Sequence, residues 1–354
     1  MTKYLNQTIE HIDPTRFNAV PIIEGFERMS FQARNLARAA RILDEMIRDL
    51  DCTVVLTLAG SLISAGLKKV LRTLVETNAV DCIVSTGANM VDMDFFEALG
   101  YRHYVGDPKA DDRELREHSI DRIYDTYISE DELRVCDSTV TEVANRLEPR
   151  PYSSREFTSA MGAYLVERGL GEGSLLRTCY EKQVPVFIPS LSDCSAGFGL
   201  VYHQANRPGA HVSHDSVRDF AELTQVVADS PSSAMVVIGG GVPKNFTADT
   251  IVCADVLGKP ARMHKYAIQI TVADERDGAL SGSTLREAHS WGKIQESAEQ
   301  MVFCEATLAL PILVSYAYHK GSWKARREKR LAGRFDPVRL LAAKPVPQAA
   351  PTPA

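Results

Sequence analysis

Ala234-Met-Val-Val-Ile238-Gly-Gly-Gly241-Val-Pro-Lys244 is the stretch on which the reading of this chain turns. Its first five residues are an apolar run of the kind found in a strand buried on both faces. Three glycines follow directly. At the carboxyl end of a parallel strand they let a ligand's phosphates approach the backbone, with the next helix N-terminus facing the anion. Three glycines also suit a tight turn, and the Gly-x-Gly-x-x-Gly fingerprint is absent. The surroundings have to decide.

Similar short apolar runs recur at 53–58, 80–86, 184–188, 266–272 and 301–304. Segments with helical spacing lie between them. Over 30–50, Leu36, Ala40, Leu43, Ile47 and Leu50 form one apolar stripe, and 61–77 and 153–170 are also helical in pattern. Apolar strands separated by helices predict an α/β fold with a doubly wound, mainly parallel sheet. Its strands end in loops of one type: Gly60-Ser61-Leu-Ile-Ser64, Ser85-Thr86-Gly87-Ala88-Asn89, Asp193-Cys-Ser-Ala-Gly197, and Cys304-Glu305-Ala306-Thr307. Together with Gly239–Gly241 they converge on the carboxyl edge, where a doubly wound sheet binds its ligand. Asp193 or Glu305 would accept from a ribose hydroxyl, or else cap a helix.

A second motif carries covalent chemistry. Glu287-Ala-His-Ser-Trp291-Gly-Lys293-Ile sets a carboxylate, an indole and a lysine within seven positions. A lysine is nucleophilic only when neutral, and an aromatic wall in a water-poor pocket disfavours its ammonium form. Lys293 is therefore the candidate nucleophile, with Trp291 walling the pocket and Glu287 holding a substrate ammonium. Lys244 is the rival, although its place at a helix start suits phosphate contact.

With 45% hydrophobic residues, the 354-residue chain can fill a large core, and no Pro/Gly-rich linker divides it. The net charge of −6 argues against nucleic acid or an anionic membrane as the main partner. Seven scattered cysteines without a Cys-x-x-Cys pair read as reduced thiols in a cytoplasmic protein, not as a zinc site. His211 and His214 lack a third ligand, so no metal is expected. No apolar run is long enough to cross a membrane. Residues 1–30 read as an N-terminal extension, and 109–148 as a charged, exposed helical insertion. From 321 the chain turns basic, then Pro/Ala-rich to residue 354, a composition expected to be disordered.

Taken together, these motifs resemble the deoxyhypusine synthase family. The lysine motif 287–294, Gly239-Gly-Gly-Val-Pro-Lys244, Leu62-Ile-Ser-Ala-Gly66 and Val80-Asp-Cys-Ile-Val-Ser-Thr86 carry the resemblance over about residues 31–318. It implies a Rossmann-like NAD-binding catalytic domain over 31–320, working as a homotetramer with active sites between subunits. It implies a redox-neutral transfer in which a lysine holds an aminobutyl group from spermidine as an imine and passes it to an acceptor amine. Cofactor contacts are implied for Ser64, Thr86, Gly87, Ala88, Asp92, Asp193, Gly240, Gly241, Ala273, Asp277, Glu305 and Ala306. Substrate contacts are implied for Phe198, Asn245, Gly278 and Leu280, and on this side the chain departs from the family pattern. Val91, Phe198 and Leu280 stand where acids are expected, and Asn245 where a histidine is. The expected substrate is thus a polyamine or related amine with fewer charges. A small acceptor would make the protein homospermidine synthase-like, and loss of the substrate site would leave a non-catalytic NAD-binding homologue.

Overall fold

The computed structural model describes residues 3–276 and 284–341. Among these, eleven strands run in chain order: β1 (Cys52–Leu58), β2 (Cys82–Ser85), β3 (Tyr104–Val105), β4 (Ile120–Ile123), β5 (Thr126–Ser129), β6 (Pro151–Tyr152), β7 (Val186–Phe187), β8 (Ser213–His214), β9 (Ser232–Ile238), β10 (Tyr266–Thr271) and β11 (Glu299–Phe303). Six of them form one all-parallel sheet in the order β11-β10-β9-β1-β2-β7. Each falls on an apolar run read from the sequence. Numbered among themselves, these six strands stand in the order 3-2-1-4-5-6 of a doubly wound sheet, reversing between β1 and β9.

Side chains alternate between two cores. Val54, Leu56 and Leu58 of β1 join Ala234, Val236 and Ile238 of β9 on one face, while Val55, Met235 and Val237 face the other way. The helix Phe31–Arg48 covers the first face with Leu36, Ala40, Leu43 and Ile47, all buried. Leu50 lies past the helix end and is exposed, because Asp49 turns the chain into an extended conformation. In register, Leu58 pairs with Ser85 and Ile238, Ile238 with Ile270, and Thr271 with Phe303. The loops after these strands therefore leave the sheet at one level.

Three expectations about the periphery need correction. Segment 109–148 is not a wholly helical, exposed insertion. It contains the short helix Asp112–Glu117, the β4–β5 hairpin, and the helix Glu130–Asn145, which buries Cys136, Val140, Val143 and Ala144. Nor do residues 1–30 stand apart, since Ala19 and Ile23 are fully buried and Ile9 N–H donates to the His103 carbonyl at 2.9 Å. The basic segment after 320 is not simply solvated. Arg326 is buried and donates to Asp81 at 2.6 Å and to the carbonyls of Asn78, Met46 and Cys52, under the amino end of the sheet. Residues 342–354 lie outside the described residues.

A buried carboxylate ties the N-terminal arm down. Glu97 lies 2.8 Å from both His11 Nε2 and His103 Nδ1 and accepts from the Lys68 ammonium. Burial alone would push its carboxyl up, but these partners hold it well below the usual glutamate range. A folded-state value below the unfolded one means that the stabilisation is present above about pH 4.5 and is lost as pH falls below it. The expected result is a thermal midpoint that drops between pH 5 and pH 3. In Glu97→Gln that slope is flatter and stability at pH 7 is lower by about 3 kcal/mol. An unchanged slope would show that Glu97 does not govern it.

Candidate functional site

At the point where the strand order reverses, the carboxyl ends of β1, β9, β10 and β11 open into a cavity of about 580 Å³. Gly60, Ser61 and Ser64 after β1, Gly239 after β9, Thr271 of β10, and Glu305, Ala306 and Thr307 after β11 line it. The β4–β5 hairpin leans over it through Tyr124 and Asp125, which the sequence reading did not place there. Gly239, at φ +77°, packs so closely on Ala59 that a Cβ would sit 3.2 Å from Ala59 Cβ. Gly60, at φ +89°, leaves open space where a side chain would stand. Two bare backbone segments, a buried hydroxyl and a carboxylate around one crevice suit the phosphates and ribose of a dinucleotide.

Of the proposed cofactor contacts, Ser64, Glu305 and Ala306 line this cavity. Glu305 is also the N-cap of the helix Ala306–Lys320, accepting from Thr307 N–H at 2.8 Å. Gly240 and Gly241 stand beyond Gly239 at the start of the helix Gly241–Ala248. Ala273 follows β10, its N–H donating to the Thr271 hydroxyl at 3.1 Å. Thr86 accepts from Asn89 Nδ2 at 3.1 Å. Gly87, just before Ala88 and the helical turn Ala88–Phe95, packs on Cys194, where a Cβ would lie 2.3 Å from Sγ. Asp92 accepts from Ser195 N–H at 2.7 Å, and burial pushes its carboxyl up to about 6. Asp193 is exposed. None of Thr86, Gly87, Ala88, Asp92 and Asp193 lines the cavity in one chain. Asp277, Gly278 and Leu280 lie outside the described residues.

Asn89, in the loop after β2, has a structural role that its local sequence does not signal. It is fully buried, donates to Gly60 O at 2.7 Å and accepts from Leu62 N–H at 3.1 Å. One side chain thus fixes the loop after β1 against the loop after β2. Among substrate-side residues, Val91 is buried in the main core, so its apolar character is a packing matter. Phe198 is 69% exposed on the helix Ser195–Asn206, beside exposed Val201 and Tyr202. Asn245 is half-buried.

The lysine motif stands away from this crevice within one chain. Lys293 O accepts from His264 N–H at 2.9 Å, and Ile294 bridges His264, immediately before β10. That is the amino end of the strand. The crevice opens beyond Thr271, about 23 Å away for seven extended residues, far beyond one lysine's reach. Lys293 therefore does not face the crevice of its own chain. Its Nζ lies 2.5 Å from Asp249 Oδ1 and 5.2 Å from the Trp291 ring centroid. Asp249 ends the helix begun at the glycine loop and was missed, because no local motif marks it.

The partners of Lys293 also differ from expectation. Trp291 is 66% exposed, so the water-poor wall is not completed within one chain. Glu287 caps its own helix: its carboxylate accepts from Thr284 N–H at 2.6 Å while the Thr284 hydroxyl accepts from Glu287 N–H at 3.0 Å. Those bonds pull its carboxyl below the ordinary range, with the Lys244 charge adding to the effect. Lys244 is not a surface phosphate contact. It is buried, and its Nζ donates to Gln269 Oε1 at 2.9 Å, while Gln269 Nε2 donates to Gly239 O at 2.8 Å. Burial pushes its amine down to about 8, Glu287 opposing and Lys293 assisting. Among the described residues no group of three His, Cys, Asp or Glu could hold a metal, and no helix is long and apolar enough to cross a membrane.

The fold and crevice define a doubly wound α/β protein with a cavity at the topological switch point, where sheets of this kind bind ligands. A family model described as deoxyhypusine synthase matches residues 21–317, and the chain belongs to the deoxyhypusine synthase family. It is 58% identical over 344 residues to a deoxyhypusine synthase-like protein of Chlorobaculum parvum, covering 97% of each. A deoxyhypusine synthase-like protein of Coxiella burnetii is 56% identical over 334 residues, covering 94% of this chain and 95% of the relative. A probable deoxyhypusine synthase 2 of Methanosarcina mazei is 42% identical, covering 89% and 90%. The crystal structure of a putative deoxyhypusine synthase from Entamoeba histolytica shares the fold, with a TM-score of 0.59 at 18% identity over 88% of this chain and 97% of that one. A ternary complex of AgrE with ornithine and NAD+ shares it at a TM-score of 0.52 and 14% identity, over 83% of this chain and 34% of AgrE.

Proposed function

We propose that this protein is an NAD-dependent, redox-neutral aminoalkyl transferase that acts through Lys293 on a polyamine or a related amine. The observation that carries the reading is the setting of Lys293: its ammonium against Asp249 at 2.5 Å, the Trp291 ring at 5.2 Å, and the buried amine of Lys244 in the same electrostatic neighbourhood. NAD, when bound, supplies acceptance and return of a hydride. Ser64, Gly239–Gly241, Glu305 and Ala306 would hold it. Lys293, as the neutral amine, adds to the imine carbon of the oxidised donor and expels the donor's remaining amine; the acceptor amine later displaces Lys293 in the same way, and Asp249 pairs with whichever ammonium stands beside it. Because Lys293 and the crevice stand at opposite ends of the sheet, the working site joins the crevice of one subunit to Lys293 of another. The exposed Trp291, Val272, Phe198, Val201 and Tyr202 support self-association.

Purified protein incubated with NAD and a panel of amines is expected to give aminoalkylated product by mass spectrometry without accumulating NADH. Net NADH would instead identify a dehydrogenase, and the absence of any product a non-catalytic homologue. Of the acid positions looked for beside the substrate, Val91 is a core residue and Phe198 an exposed apolar one, and among the described residues the carboxylate paired with Lys293 is Asp249. Diamines such as putrescine are therefore expected to be used at least about tenfold better than spermidine, since a buried unpaired ammonium costs several kcal/mol. Equal use of spermidine, with a protein lysine as acceptor, would make the protein a deoxyhypusine synthase in the strict sense.

A further inference from the structure

The β4–β5 hairpin closes on a two-residue turn, with Ile123 paired to Thr126 and Tyr124-Asp125 between them. Tyr124 is in the left-handed region, at φ +54°, which bulky L-residues rarely occupy and which two-residue turns normally give to glycine or asparagine. Tyr124 is 72% exposed and is one of the residues that line the switch-point cavity, with Gly239 and Thr271 of the β9 and β10 ends. The turn is braced from outside. Arg122 holds Asp112 through Nε and Nη2 at 2.6 and 2.7 Å and donates from Nη1 to Tyr124 O at 2.9 Å. Gly106 N–H donates to Asp125 O at 2.8 Å. An unfavourable backbone conformation is thus kept in place at a residue that lines the cavity and whose aromatic side chain remains open to solvent. Such strain persists where the surroundings over-determine it, and it clusters at ligand clamps.

We infer that Tyr124 is a binding residue: its ring stacks on a planar base of the dinucleotide held in the crevice, closing the hairpin tip over it. The inference rests on the dinucleotide reading of the crevice. Stacking needs a π-face and not a hydroxyl, so Tyr124→Phe keeps affinity and Tyr124→Gly loses it. Glycine suits φ +54° better than tyrosine does, so the two consequences of this substitution run in opposite directions.

The test is calorimetric titration of the full-length wild type, Tyr124→Phe and Tyr124→Gly with NAD and, separately, with ADP, alongside their ligand-free melting temperatures. The expected result is about tenfold weaker NAD binding by Tyr124→Gly, with a ligand-free Tm equal to or about 1–2 °C above wild type and unchanged binding by Tyr124→Phe. An equal loss for ADP would place the adenine on Tyr124, and a loss for NAD alone the nicotinamide. NAD binding by Tyr124→Gly within twofold of wild type would overturn the inference and leave the dinucleotide reading standing. No NAD binding by the wild type would remove both.

Discussion

Lys293→Ala protein, supplied with NAD and a competent amine, is expected to give no borohydride-trapped adduct and to lose on the order of 10³-fold or more in transfer rate, since it lacks the amine proposed to carry the covalent step. NAD binding should persist, because the crevice stands at the other end of the sheet. The same geometry makes a sharper demand. Thr307→Trp fills the crevice but leaves Lys293 and Asp249 intact, so it should be inactive for the opposite reason. Unfolded together and refolded as mixed oligomers, the two inactive proteins should regain activity, because some sites would pair an intact crevice with an intact lysine. A mixture as inactive as its parts would mean that Lys293 does not act across subunits. An adduct that persists in Lys293→Ala would move the nucleophile to Lys244.

Arg326→Ala is expected to destabilise the protein by about 3–5 kcal/mol, the cost of breaking a buried pair and leaving one charge behind. Burial pushes the Asp81 carboxyl up, and Arg326 and Lys329 are the charges that oppose this. Asp81 also accepts from Val54 N–H at 2.9 Å, so the first strand of the sheet is tied into the same network. Arg326→Lys should rescue little, because one ammonium cannot reach acceptors spread over Asn78, Met46, Cys52 and Asp81 as the guanidinium fork does. Urea unfolding of the variants, and of a chain ended after residue 320, would measure this. A loss below 1 kcal/mol would return the segment to the status of a solvated tail.

The identity of the six main strands was legible because each is an apolar run whose side chains enter two cores, and such runs admit few alternatives to a buried parallel strand. The loops at their carboxyl ends were legible for the same reason, since strand direction dictates which edge they share. Three of the residues expected to touch the cofactor do line the cavity. Others in those loops also fasten the fold: Asp92 accepts from Ser195, Thr86 accepts from Asn89, and Gly87 makes room for Cys194. A capping or packing role and a ligand role call for the same small polar residues after a strand, so local sequence does not separate them.

The lysine motif shows the division most clearly. By itself the sequence determined which residues are chemically equipped: an isolated lysine beside an indole, a glycine loop after a strand, a carboxylate six residues before that lysine. Those are properties of residue type and short spacing, and they hold whatever the rest of the chain does. Where each group stands was decided only by the tertiary structure. The return of the chain to the start of β10 puts Lys293 at the amino end of the sheet, the helix from the glycine loop delivers Asp249 to it, and a hairpin from residues 120–129 brings Tyr124 over the crevice. Each of these contacts joins segments tens of residues apart, and its existence depends on sheet order, strand direction and helix length together. Periodicity and motif are silent about such contacts, because they are set by the packing of the whole fold and by no local preference.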